Sequence, residues 1–405
     1  MLIEFSVSSY RSFRERQTFS MVAAPRLKKG DNVFTPKVKG EKLPDLLKVA
    51  AIYGPNASGK SNLIKVFEVV RAIAGRQPSA QFIPLPVAPF RFNPQLADQP
   101  SRFEVHFIYE ELRYQFDLAL TVDRIVEERL TAFPGGKESL LYERQHRDGK
   151  EVYHFGAELE GGRDLHVLWK NATGPQVLFL TQAVANGSEG MQQLRKPRYW
   201  LVTGFSVFSE KMNDPEGCLR FAQINPIYAE RISAFLSDVD VPVTNIRFED
   251  VFSHSSGLST EPKTRAVFTH QTALGTAEFD LNEESEGTKS LIDFWFPWQI
   301  RNWIEGNPLL VVDELDSSLH PEIVAALVAK HQKAEIPSQL IFTTHDTHLM
   351  DTKLLRRDQI WLTERDKNGA TQLRSIHDFA GREGEDLEKR YYAGRYRGLP
   401  FIRKG

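Results

Sequence analysis

Hydrophobic and polar positions along this chain change period several times, and each change predicts an element. Leu2 to Val7 alternates and is rich in β-branched and aromatic residues, which predicts a strand. Leu46 to Tyr53 is a short, mostly apolar run that ends at a glycine, the pattern of a strand buried on both faces. From Ser61 to Ala74 the apolar residues Leu63, Ile64, Phe67, Val70 and Ile73 recur at helical spacing. Arg102 to Val122 alternates again, with Glu110-Glu111 as the turn of a hairpin. A helix is expected from Pro175 to Val184 and strands at Val241–Phe248 and Arg265–His270. Glu286 to Ile304 predicts a helix that Pro297 should kink or end early. Leu309–Val312 and Leu340–Phe342 are further apolar strands. Between these, Gln77–Pro100 is a proline-rich connector, and the mixed stretch from about Ile125 to Asp240 specifies no fold.

At the end of the second apolar strand stands Gly54-Pro55-Asn56-Ala57-Ser58-Gly59-Lys60-Ser61, followed by Asn62 and the helical pattern. This fits GxxxxGK[ST] in its required strand–loop–helix setting. Its glycines let successive backbone N–H groups face phosphates, Lys60 reaches the β- and γ-phosphates, and the Ser61 hydroxyl ligates Mg²⁺. The strand Leu309–Val312 ends in Asp313-Glu314. Two acids at that edge of an α/β sheet suit a carboxylate that holds Mg²⁺ through water and a second that polarises the attacking water. Ile341-Phe342-Thr343-Thr344-His345 is a strand ending in a histidine, whose neutral imidazole could hydrogen-bond a γ-phosphate. Ser285 and Gly287 open the helix ahead of the acidic strand and offer a hydroxyl, backbone N–H groups and a helix dipole to an anion.

Composition narrows the classes. The 405 residues carry 51 Lys plus Arg and 53 Asp plus Glu, a formal net charge of -2, which excludes a generally cationic nucleic-acid binder. A local basic groove stays open: Arg195, Lys196 and Arg198, the pair Arg356-Arg357, and a tail from Arg382 to Lys404 that interleaves tyrosines. One cysteine, Cys218, excludes a disulfide framework and any CxxC site. No run approaches a membrane span and no secretory leader opens the chain, so a cytoplasmic protein with no membrane partner is expected.

Taken in order, these motifs resemble the ATP-binding-cassette class of P-loop ATPases. Gly54–Ser61 looks like Walker A, Ser285-Glu286-Gly287-Thr288 like the signature, and Asp313-Glu314 like Walker B with its catalytic acid. Asp316-Ser317-Ser318-Leu319-His320 looks like the D-loop and His345 like the switch histidine. Glu286 replaces the transporter glycine, and no glutamine stands out as the Q-loop residue. With Ser9-Tyr10-Arg11-Ser12-Phe13 near the start and Arg390-Tyr391 to Pro400 near the end, the chain is similar to the non-transporter branch. That branch holds structural-maintenance, zinc-hook, RecF and overcoming-lysogenization-defect ATPases. The chain is more similar still to stand-alone bacterial ATPases of phage-defence and abortive-infection loci, of the RloA and PARIS types.

The resemblance implies an α/β fold: an ABC-type P-loop NTPase with an antiparallel β subdomain and a mixed, partly helical insertion. It implies an N-terminal lobe over 1–125, an insertion over 126–244 and a C-terminal lobe over 245–405. ATP and Mg²⁺ are the implied cofactors, and Arg11 reaches the nucleotide from the N-terminal strand. Two copies of the chain would share composite sites as an ATP-dependent dimer or higher homo-oligomer. Long heptads and CxxC are absent, and too little chain follows His345 for a fused nuclease domain of about 100 residues. The effector, a nuclease among the candidates, is therefore expected on a separate polypeptide encoded nearby. A RecF-like DNA-binding ATPase in repair is the alternative.

Overall fold

The computed structural model describes residues 1–405 apart from 80, 210–213, 252–262, 301–308, 335–337, 383 and 400–405. Two compact units divide the chain. The first comprises Met1–Val207, Ile304–Asp313 and Val328–Gly405, and the second comprises Phe208–Trp303 and Glu314–Leu327.

The first unit is built on two sheets. One has six strands in the order Phe205–Phe208, Leu309–Val312, Gln339–Thr343, Val49–Tyr53, Ile360–Arg365, Thr371–Ser375. Its three central pairings are parallel, as all-apolar strands covered on both faces require. Thr371–Ser375 closes one edge antiparallel. The other sheet has seven strands in the order Lys150–Phe155, Ser139–Arg147, Ile125–Ala132, Leu112–Leu120, Ser101–Tyr109, Leu2–Ser8, Gln17–Ser20. Every pairing in it is antiparallel. The helix Lys60–Gly75 carries part of the core between them: Phe67 meets Phe5 edge-on at 4.7 Å and Phe205 at 5.7 Å. Phe19 closes the layer against Trp361 at 4.8 Å. Fully burying each such ring contributes about 1.5–3 kcal/mol.

Several expectations shift in detail. The apolar run Leu46–Tyr53 is two strands, Leu46–Leu47 and Val49–Tyr53. They are separated at Lys48, whose ammonium turns aside to the Gln332 carbonyl at 2.6 Å. The hairpin turn forms at Glu110 and Glu111, both at positive φ (46° and 60°), the geometry that matches strand twist. The expected helix from Pro175 begins at Phe179 instead. Residues 174–178 form a turn instead: Gly174 and Val177 give their carbonyls to Arg144, and Glu128 accepts from the Phe179 N–H at the helix start. Within the stretch that specified no fold, three strands from Ile125 to Phe155 extend the antiparallel sheet, and helices follow at Gly162–Ala172, Phe179–Asn186 and Arg195–Thr203.

The second unit holds the antiparallel sheet Val243–Val251, Lys263–Thr272, Gly275–Asp280 and the helices Pro215–Ile224, Pro226–Asp238 and Glu286–Ile300. Pro242 delays the first strand by two residues from its expected start. The helix from Glu286 runs through Pro297 to Ile300, and its expected continuation to Ile304 lies outside the described residues.

Candidate functional site

The glycine-rich loop leaves the C-terminal end of the strand Val49–Tyr53 and opens the helix Lys60–Gly75. Gly54 (φ 154°) and Gly59 (φ 109°) occupy backbone conformations that L side chains rarely adopt, and Ala57 (φ 61°) sits in the left-handed region. Space alone also demands glycine. A Cβ on Gly54 would overlap the Oγ1 and carbonyl of Thr363, and one on Gly59 would overlap Thr371 Oγ1.

Hydroxyls brace the loop from beneath. Ser58 Oγ and Thr363 Oγ1 lie 2.5 Å apart, and Thr363 reaches the Tyr53 carbonyl at 3.1 Å. Thr371 Oγ1 lies 2.7 Å from both the Ser58 carbonyl and Ser12 Oγ, while Asn62 Nδ2 donates to Ser12 Oγ at 2.8 Å. The two threonines come from the strands Ile360–Arg365 and Thr371–Ser375, and Ser12 from the tight turn closed by the Tyr10–Phe13 bridge. Helical or strand periodicity gives no warning of these three residues, because a threonine on a strand face reads as packing. Only topology brings them under the loop.

Lys60 is 6% exposed and donates to the Gly54 carbonyl at 2.8 Å, which holds its ammonium inside the loop's curve. Asn56 and Ala57 are exposed at the rim, with Pro55, Ser61 and Asn62 half-buried. Two strands from the loop, Asp313 ends Leu309–Val312, and Thr343 of the intervening strand donates to Asp313 Oδ1 at 2.6 Å. His345 is exposed two residues beyond Thr343, and Thr344 ties that strand end to the Ile52 carbonyl at 3.1 Å. Arg11 is exposed at positive φ (51°), with Nε on the Tyr10 hydroxyl at 3.0 Å and its backbone N–H on the Ala88 carbonyl at 2.7 Å. The glycine-rich loop, Arg11, Asp313 and His345 all belong to the first unit.

The remaining predicted residues, Ser285, Gly287 and Glu314, belong to the second unit. Ser285 caps the helix Glu286–Ile300: its Oγ accepts from the Thr288 N–H at 3.1 Å. Gly287 lies under the Ser318 carbonyl, which a Cβ would approach to 2.8 Å, so signature-like and D-loop-like segments pack directly. Glu314 and Ser318 both hold positive φ (55° and 61°) in the turn after the acidic strand. Glu284, just ahead of Ser285, is buried and hydrogen-bonded to His270 at 2.6 Å.

The basic clusters are spent on structure to a large degree. Lys196 pairs with Glu110 at 2.6 Å, and Arg356 and Arg357 are buried. Of the tail tyrosines, Tyr391 and Tyr396 are buried, the former donating to the Gly398 carbonyl at 2.7 Å, and Tyr392 is exposed. Lys404 lies outside the described residues. No helix among the described residues is long and apolar enough to cross a membrane.

Among solved structures the chain is similar to the SMC head domain from Thermotoga maritima, at 15% identity and a TM-score of 0.43, over 92% of this chain and 98% of that one. An SMC head bound to the C-terminal winged-helix domain of ScpA gives 13% and 0.44, over 93% and 99%. The SMC head with an extended coiled coil bound to the C-terminal domain of ScpA, from Pyrococcus furiosus, gives 11% and 0.42, over 93% and 97%. No curated protein matches. A family profile matches residues 49–172 and 205–351, which include the glycine-rich loop, the Asp313 strand and His345. The chain belongs to the P-loop family described as "AAA domain, putative AbiEii toxin, Type IV TA system".

Proposed function

We propose that this protein is an ATP-binding and ATP-hydrolysing switch that acts as a homodimer on a separate effector in anti-phage defence. The observation that carries the reading is the braced loop Gly54–Ser61, with the Lys60 ammonium in its curve and Asp313 fixed at a strand end two strands away in the same unit.

The donor set suits ATP with Mg²⁺. Loop N–H groups and the helix N-terminus would receive the phosphates, and Lys60 would exchange the Gly54 carbonyl for their β- and γ-oxygens. Ser61 and Asp313 offer the hydroxyl and carboxylate oxygens that a hard cation takes. The described residues contain no group of three or more His, Cys, Asp or Glu side chains able to hold a metal. Phosphate and water oxygens would therefore complete its shell, and its charge would neutralise the β- and γ-oxygens.

Glu314 would act as the base: it orients water, accepts its proton as oxygen attacks the γ-phosphorus, and the bond to the bridging β–γ oxygen breaks. His345 would hydrogen-bond the γ-phosphate, and Arg11 would contact the nucleotide. Ser285 and Gly287 would close over the nucleotide held by a second copy. Differential contact to the γ-phosphate before and after hydrolysis supplies the switch.

The family description names a toxin and a toxin–antitoxin system, and this supports a partner polypeptide as the target of the switch. ATP turnover with and without duplex DNA, together with co-purification of the neighbouring gene product, tests that role. Turnover that needs DNA and a chain that purifies alone would favour a RecF-like DNA clamp instead.

A further inference from the structure

The strands Val49–Tyr53 and Ile360–Arg365 run parallel, and the glycine-rich loop leaves their C-terminal edge. At the opposite edge, the segment before Ile360 is fastened to the strand starts: Gln359 donates to the Val49 carbonyl at 2.9 Å and accepts from Asn32 at 2.7 Å. A cavity of about 390 Å³ opens there, lined by Leu27, Lys28, Lys29, Leu355, Arg356 and Arg357. All of its lining residues belong to the first unit.

Four cationic side chains line this one cavity. Arg356 is neutralised by Asp358 through two hydrogen bonds, at 2.9 and 2.7 Å. Arg357 has no such carboxylate among the described ion pairs. It is 5% exposed, and its Nη atoms go to the carbonyls of Phe379 (2.8 Å), Ile376 (3.2 Å) and Arg382 (3.4 Å). Its Nε is buried with no hydrogen-bond partner. The Lys29 ammonium is likewise buried and without a hydrogen-bond partner. Burial lowers the pKa of Lys29, against the pull of Asp351. Leaving a buried charged donor unsatisfied costs more than leaving a neutral one, and two in one cavity call for an acceptor.

We propose that this cavity is a second anion site, separate from the glycine-rich loop, that takes a small phosphorylated molecule. Lys29 and Arg357 Nε would donate to its phosphate oxygens, and Leu27 and Leu355 would cover its uncharged part. The volume lies within the range of about 300–1,000 Å³ usual for small-molecule sites. A concave site whose free donors are buried suits a terminal phosphate better than a polymer backbone.

Calorimetric titration of inorganic pyrophosphate into the full chain carrying Lys60→Ala tests this with the glycine-rich loop disabled. The result expected is saturable binding in Lys60→Ala that weakens about tenfold when Lys29→Met is added, the loss of one charge-assisted hydrogen bond. Arg357→Lys should weaken it as well. Lys29→Met relieves a desolvated charge, so its own thermal midpoint should be unchanged or higher. Pyrophosphate should raise the midpoint of Lys60→Ala, and that of the double variant by less at the same concentration. No binding to Lys60→Ala, or an affinity indifferent to Lys29→Met, would overturn the proposal.

Discussion

Thr343 Oγ1 donates a 2.6 Å hydrogen bond to Asp313 Oδ1, joining the ends of two parallel strands at the edge from which the glycine-rich loop springs. Thr343 is fully buried, so its rotamer is fixed and the carboxylate is aimed before any cation arrives. Thr343→Val keeps the shape of the side chain and removes the donor. A hydrogen bond to a charged group is worth about 1.5–3 kcal/mol. The thermal midpoint should therefore fall by a few degrees, and the Mg²⁺ concentration for half-maximal nucleotide binding should rise by up to about tenfold as the carboxylate loses its aim. A Mg²⁺ titration followed with a fluorescent ATP analogue measures it.

Gly59 admits no side chain. Its φ of 109° and the overlap of any Cβ with Thr371 Oγ1 both oppose Gly59→Ala. The loop would have to move off its braces, so nucleotide affinity should fall by at least about two orders of magnitude. Adding Thr371→Ser, which keeps the hydroxyl, should not restore it. A rescue by Thr371→Gly would show that crowding outweighs backbone strain.

Glu128 stabilises the fold rather than the site. It is fully buried and accepts from Tyr142 (2.7 Å) and from the N–H groups of Phe179 (2.7 Å) and Leu180 (2.9 Å), with Arg144 at 3.8 Å. Removing one partner of such a network leaves the others unpaired. Glu128→Ala should destabilise the chain by about 3–5 kcal/mol in a urea titration.

This network also shows where sequence reading runs out. Period and composition place a helix near residue 180, but its start depends on a carboxylate from a strand far away in the chain. The same holds at the site. The loop Gly54–Ser61, Asp313-Glu314 and His345 stand out in the sequence because the role proposed for each constrains local sequence. Thr363 and Thr371 do not, and Ser12 does so only within its motif, because their contact is with a loop that only the folded topology brings near. The strands from Ile125 to Phe155 escape for a related reason: their outward faces carry so many charges that alternation is hard to tell from loop.

Asp293, on the helix Glu286–Ile300, supplies a pH test of the second unit. Burial pushes its carboxyl up to about 6, and the charge of Asp214 adds to this, while a hydrogen bond to the Asp214 backbone acts the other way. The folded form thus prefers the protonated carboxyl, whose unfolded pKa is about 3.9. Its contribution is fully present below that value and is lost as pH rises through about 6. Asp293→Asn should raise the thermal midpoint at pH 7, by less at pH 6, and by least at pH 5. An equal gain at all three pH values would exclude titration of Asp293 as the cause.

ATP turnover as proposed has Glu314 activating water and Lys60 holding phosphate. The most direct measurement is phosphate release from ATP with Mg²⁺, paired with nucleotide binding, for the wild type, Glu314→Gln and Lys60→Ala. Glu314→Gln should still bind ATP but release phosphate slower by roughly two orders of magnitude or more, the scale of a lost general base. Lys60→Ala should lose binding itself. Phosphate release by Glu314→Gln at the wild-type rate, or ATP binding undiminished in Lys60→Ala, would contradict it.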